Sequence, residues 1–111
     1  MLRCARMASA RRKLGLMVST APDHPNLETA LGLSKAALDG GGDVYLYLID
    51  DAVAAVEDPR LTALAARGLK LFVCAYGCQK RRRPLSDRAT NCGLVVLTDV
   101  INGTDRFVSL N

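Results

Sequence analysis

The segment Leu71-Phe72-Val73-Cys74-Ala75-Tyr76-Gly77-Cys78-Gln79-Lys80-Arg81-Arg82-Arg83 sets two thiols four residues apart, after an apolar run and before four consecutive cations. The thiolate is the nucleophilic form of cysteine, and a helix N-terminus or nearby cations favour it. If the chain turns from strand to helix at Cys74, that thiol gains both effects. A thiolate so placed can attack, or carry sulfur. Cys78 would then share its helical face, positioned to resolve a sulfenate or to share a persulfide. A plainer reading stands beside this one. In it Cys74 is a small core residue and Cys78 an incidental loop thiol, since C-x-x-x-C is not a specific redox or metal spacing.

Other candidates are weaker. Cys74, Cys78, Cys92 and His24 have the ligand count of a zinc site, but none stands in a paired C-x-x-C or H-x-x-x-H arrangement, and no metal is expected. His24 precedes Pro25 at a helix start, where a histidine caps more often than it acts as a base. Asp50 and Asp51 close an apolar run, and the favoured reading is that they cap the following Ala52-Val53 helix. Gly40-Gly41-Gly42 ends a helix instead of opening one, so it is a turn and not a phosphate loop. No cofactor-binding motif is read in the chain.

These residues need elements to hold them. Leu14 to Val18 is a continuous apolar run of the kind found in strands covered on both faces. Asp23-His24-Pro25-Asn26 opens a helix in which Leu27, Ala30, Leu31, Ser34, Ala37 and Leu38 recur at helical spacing. Val44 to Ile49 is a second strand. Asp58-Pro59 starts a short helix that turns Leu61, Leu64 and Ala65 inward and stops at Gly68. Leu69 to Cys74 is a third strand, and Arg106 to Leu110 a closing one. Gly93 to Leu97 has the composition of a strand, whereas Leu94, Leu97 and Ile101 have the spacing of a helix face; periodicity alone leaves both open. Alternating strands and helices with short connections predict right-handed crossovers and a mostly parallel sheet, with Val44–Ile49 and Leu71–Val73 central and Leu14–Val18 between or beside them.

Bulk properties narrow the function. With 111 residues, half of them apolar, the chain has material for one core, built from Leu, Val and Ala because only five residues are aromatic and none is Trp. So light a core favours burial within an oligomer. The net charge of +4 is not spread over a face. Arg3, Arg6, Arg11, Arg12 and Lys13 form a basic tail, and Lys80 to Arg83 one basic loop. Neither run carries interleaved aromatics on which bases could stack, so no nucleic-acid partner is expected. No apolar run approaches the roughly 18 to 20 residues that span a bilayer, and no membrane association is expected. The N-terminus lacks the apolar centre of a secretory signal, and Met7 is left open as an alternative start. Four sparse cysteines fit a reducing cytoplasm better than a disulfide scaffold. The expected organisation is a disordered basic tail over residues 1–12 and one domain over residues 13–111.

The order of these pieces resembles the DsrE/DsrF/DsrH-like family, which includes the TusBCD sulfur-relay subunits. The resemblance runs from about Lys13 to Leu110. It is carried by Val73-Cys74 followed by Lys80-Arg81-Arg82, and by Gly93-Leu94 followed by Thr104-Asp105-Arg106-Phe107-Val108. It implies a three-layer α/β/α sandwich around a mostly parallel sheet of four to five strands, with Leu94 to Ile101 helical. It also implies a trimer or hexamer, with the Cys74 loop near a subunit boundary. In the sulfur-relay subunits a cysteine after the third strand carries persulfide sulfur toward an acceptor protein. Cys74 matches that position, and Cys78 matches members whose cysteine lies nearer the basic pair. Where the family usually has Gly after the basic pair, this chain has Arg82-Arg83-Pro84. The expected function is therefore a sulfur carrier served by donor and acceptor proteins. The alternative is a non-catalytic assembly or regulatory protein with structural cysteines.

Overall fold

A computed structural model describes residues 11–111. Most of the basic tail expected over residues 1–12, with Cys4 in it, lies outside the described residues. At its inner end the Arg11 guanidinium pairs with Asp43 at 2.9 Å, and the Arg12 carbonyl accepts the Asp43 N–H.

Among the described residues five strands form: β1 (Lys13–Val18), β2 (Asp43–Leu48), β3 (Lys70–Cys74), β4 (Thr90–Cys92) and β5 (Arg106–Leu110). They lie in the order β4-β3-β2-β1-β5, and every pairing is parallel. β1 is thus beside β2, on the side away from β3. Four strands coincide with the apolar runs read from the sequence. The fifth, β4, is three residues long and has no such run.

The helices are α1 (Pro25–Asp39), α2 (Pro59–Ala66), α3 (Ala75–Lys80) and α4 (Leu94–Gly103). His24 caps α1, its Nδ1 accepting the Asn26 N–H at 3.1 Å. Asp58 caps α2 by accepting the Arg60 N–H at 2.9 Å, and Gly68 leaves that helix at φ 115°, a conformation that costs glycine little. The ambiguous Leu94 segment is helical. A chain that must pass from β4 at one sheet edge to β5 at the other needs a crossover element, and this requirement overrides the strand-like composition.

Register sorts the core into two faces. Leu16, Leu46 and Leu71 are aligned across β1, β2 and β3, as are Leu14 and Val44, and Val18, Leu48 and Val73 follow two residues on. This face is aliphatic; Leu14 is half-buried, and its other Leu and Val side chains are almost fully buried, each contributing roughly 1.5–3 kcal/mol. The opposite face carries Gly15, Tyr45, Tyr47, Phe72, Cys74 and Cys92. A side chain at Gly15 would meet Val100 and Thr104, so this second face lies under α4. The crossovers β1–α1–β2 and β2–α2–β3 step one way along the sheet, and β4–α4–β5 steps back. Right-handed connections therefore place α1 and α2 against the aliphatic face and α4 against the other. The result is an α/β/α sandwich.

Among the described residues, no helix is long and apolar enough to cross a membrane.

Candidate functional site

In open parallel sheets reactive groups gather beyond the carboxyl ends of the strands, and β3 ends on Cys74. Extended backbone there (φ −70°, ψ 111°) leads straight into α3, with Cys74 as its N-cap. The Cys74 Sγ accepts the Gly77 N–H at 3.3 Å. That bond gives the sulfur a fixed backbone donor, whether it carries a thiol or a persulfide. Gly77 itself sits where a Cβ would come within 3.2 Å of Val53, so its lack of a side chain lets α3 pack closely on the 3-10 helix Asp50–Ala55.

Cys74 is only 3% exposed, and Cys78 only 1%. Both are helix-end or helical core residues, and Cys78 is no loop thiol. Burial pushes the Cys78 thiol above its ordinary pKa of 9.0, Cys74 adds to the rise, and Arg83 opposes it. The four cations divide their attention. Arg81 reaches Asp51 at 3.1 Å, and the Arg83 N–H donates to the Cys78 carbonyl at 2.8 Å. Arg82 takes φ 56°, the left-handed conformation that glycine adopts freely and that costs other residues roughly 1–2 kcal/mol.

Two groups, one weighed from the sequence only as a zinc ligand and one not singled out there, complete the surroundings of Cys74. Cys92 is its register partner across the β3–β4 ladder and is half-buried. Tyr47, fully buried on β2, places its hydroxyl beside both sulfurs and donates to the Gly93 carbonyl at 2.9 Å. Burial, then the Cys92 and Cys74 sulfurs, keep that phenol protonated well beyond its ordinary range. Burial likewise lifts the Cys92 thiol, against the neighbouring Tyr47 hydroxyl, which lowers it. Alternation along β2 and β3 puts Tyr47 and Cys74 on one face, and this was open to inspection. The strand that brings in Cys92 was not.

The remaining candidates fall elsewhere. His24 is occupied as the α1 cap. The expected capping by Asp50 and Asp51 is not found: Ile49 occupies the N-cap position of the 3-10 helix with no side-chain cap bond. Asp50 adopts φ 55°, and Asp51 is drawn to Arg81. Among the described residues no group of three or more His, Cys, Asp or Glu side chains is gathered closely enough to hold a metal.

No protein-family model and no curated protein matches the chain. Solved structures share its fold, among them the following two. The crystal structure of the ychN protein of E. coli superposes with a TM-score of 0.78 at 20% identity, covering 91% of this chain and all of that one. A conserved protein of unknown function from Bacteroides thetaiotaomicron superposes with a TM-score of 0.72 at 13% identity, covering 88% of this chain and 94% of its own.

Proposed function

We propose that the chain is a DsrE-like sulfur carrier of the reducing cytoplasm, folded as one domain over residues 13–111, that holds sulfane sulfur as a persulfide on Cys74 and passes it to a partner thiol. The observation that carries this reading is the Gly77 N–H donated to the Cys74 sulfur at the carboxyl edge of the sheet. In loading, the Cys74 thiolate attacks the sulfane sulfur of a donor, forming Cys74–S–S⁻ and expelling the donor's leaving group. In transfer, an acceptor thiolate takes the terminal sulfur and Cys74 leaves as thiolate. Because Cys74 is buried, both steps require the packing of α3 on Asp50–Ala55 to open locally. The test is intact mass after incubation with a sulfane-sulfur donor. The wild type should gain about 32 Da per added sulfur, and Cys74→Ser should gain none. A wild type that takes up no sulfur would end the proposal.

A second reading is favoured by the burial of both thiols. In it the cysteines are structural and the chain serves as an oligomeric assembly or regulatory protein. Leu94 and Val95 on α4 are 58% and 71% exposed, and Tyr76 on α3 is 68% exposed. These apolar groups flank the Cys74 edge and supply a surface for further copies of the chain under either reading.

A further inference from the structure

We propose that Cys74 and Cys92 form a reversible disulfide across the β3–β4 edge of the sheet, made by exchange with a low-molecular-weight disulfide such as oxidised glutathione. The two are register partners in a parallel pair. Neighbouring strands run about 4.7–4.9 Å apart, inside the roughly 4.4–6.8 Å Cα separation that a disulfide spans. Their side chains leave the same face of the sheet, and both sulfurs border the Tyr47 hydroxyl. Closing the bond asks the Cβ atoms to approach to about 3.5–4.5 Å. β4 can yield that distance, being three residues long, at the sheet edge and paired on one side alone.

Cys78 is the worse partner for Cys74. Residues four apart on a helix hold their Cβ atoms about 5–6 Å apart, and drawing Cys78 inward would unwind α3 and remove a side chain that is 1% exposed from its place in the core.

The chemistry proceeds from the more accessible thiol. Cys92, half-buried, attacks one sulfur of the small disulfide as thiolate, forming a mixed disulfide and releasing one thiol. The Cys74 thiolate then attacks the Cys92 sulfur, breaking the mixed bond and releasing the second thiol. Two protein thiols are oxidised and the small disulfide is reduced to two thiols, so electrons and protons balance. Buried Cys74 never has to meet the oxidant. Burial lifts the Cys92 thiol, so the exchange quickens as pH rises. The disulfide stands independently of the sulfur-carrier reading; its consequence, that oxidation closes Cys74 to sulfur, rests on that reading.

The full chain is incubated with oxidised glutathione, alkylated and digested with trypsin without reduction. Cleavage after Lys70, Lys80 and Arg88 puts Cys74 and Cys78 on one peptide and Cys92 on another. The expected product is a linked pair of these peptides, about 2 Da lighter than their sum, retained in Cys78→Ser and lost in Cys92→Ser. A closed Cys74–Cys78 loop within one peptide, a glutathione adduct that persists on Cys92, or no oxidation at all would each overturn the proposal. Sulfur loading is then measured on reduced and oxidised protein. If the reduced protein loads sulfur and the oxidised protein does not, the link to the carrier function holds. If the reduced protein loads none, the carrier reading fails while the peptide map still decides the disulfide. If the oxidised, linked protein loads as well as the reduced one, the bond does not close the site.

Discussion

The Tyr47 hydroxyl donates to the Gly93 carbonyl at 2.9 Å, tying the central strand of the sheet to the residue that opens α4. Tyr47→Phe keeps the ring and deletes the bond, leaving a carbonyl without its donor. The expected cost is about 0.5–1.5 kcal/mol in urea unfolding. Because the same hydroxyl borders Cys92 and lowers its pKa, that thiol should also react more slowly with a thiol reagent in the variant. Unchanged stability and unchanged Cys92 labelling together would show that the bond anchors nothing.

The thiols should separate by variant. Loading is expected to vanish in Cys74→Ser and to persist largely in Cys78→Ser, Cys92→Ser and Cys4→Ser, read by intact mass. Loading that follows Cys78 alone would transfer the carrier role to that residue.

The raised Cys78 pKa predicts a loss of stability in alkali. Below the ordinary value of 9.0 both folded and unfolded chains hold the proton, and the contribution is intact. As pH rises past it, the unfolded chain releases the proton while folded Cys78 keeps it, so unfolding gains. Cys92 and Tyr47 act in the same direction. The urea midpoint should therefore fall as pH rises past about 9, and fall less steeply in Cys78→Ala. Identical slopes in the two proteins would contradict this.

Gly15 on β1 lies against Val100 of α4, Thr104 just beyond that helix and Phe107 of β5. A Cβ there would stand 2.8 Å from the Thr104 hydroxyl and 2.9 Å from the Phe107 ring, with Val100 at 3.1 Å. Gly15→Ala should lower stability by roughly 1–3 kcal/mol, the usual cost of overfilling a packed site. A loss under about 0.5 kcal/mol would mean that α4 rides loosely on the sheet.

Leu94, Val95 and Ile101 are exposed apolar residues on α4, set among exposed Thr98, Asp99 and Asn102, and such a patch marks an interaction surface. Sedimentation at micromolar concentration should find a trimer or hexamer, and Val95→Lys with Leu94→Lys should shift it to monomer. A wild type that is only monomeric would refute the assembly.

What was readable in the sequence follows from how locally each feature is determined. Runs such as Leu14–Val18 and the Asp58-Pro59 start carry their own strand and helix chemistry, and the structure has them in place. Thr90-Asn91-Cys92 has neither length nor alternation; it is a strand because β3 offers it a free edge. Asp51 looked like a cap because capping is local, and its actual partner, Arg81, is thirty residues away. Cys74 was found at its strand end and helix cap, as the apolar run and the thiol indicated. The Tyr47 hydroxyl and Cys92 beside it are products of topology, which spacing along the chain does not encode.

The placement of β5 against β1 has a consequence for synthesis. β1, β2 and β3 are consecutive and can pair as each leaves the ribosome, but the outer edge of β1 stays unpaired until Arg106–Leu110 arrives. Until then the nascent sheet offers Leu14–Val18 as an open template to any other extended chain. Its first strand to be made is among the last to be sealed, and a ribosome stalled before residue 106 would hold out a sticky intermediate.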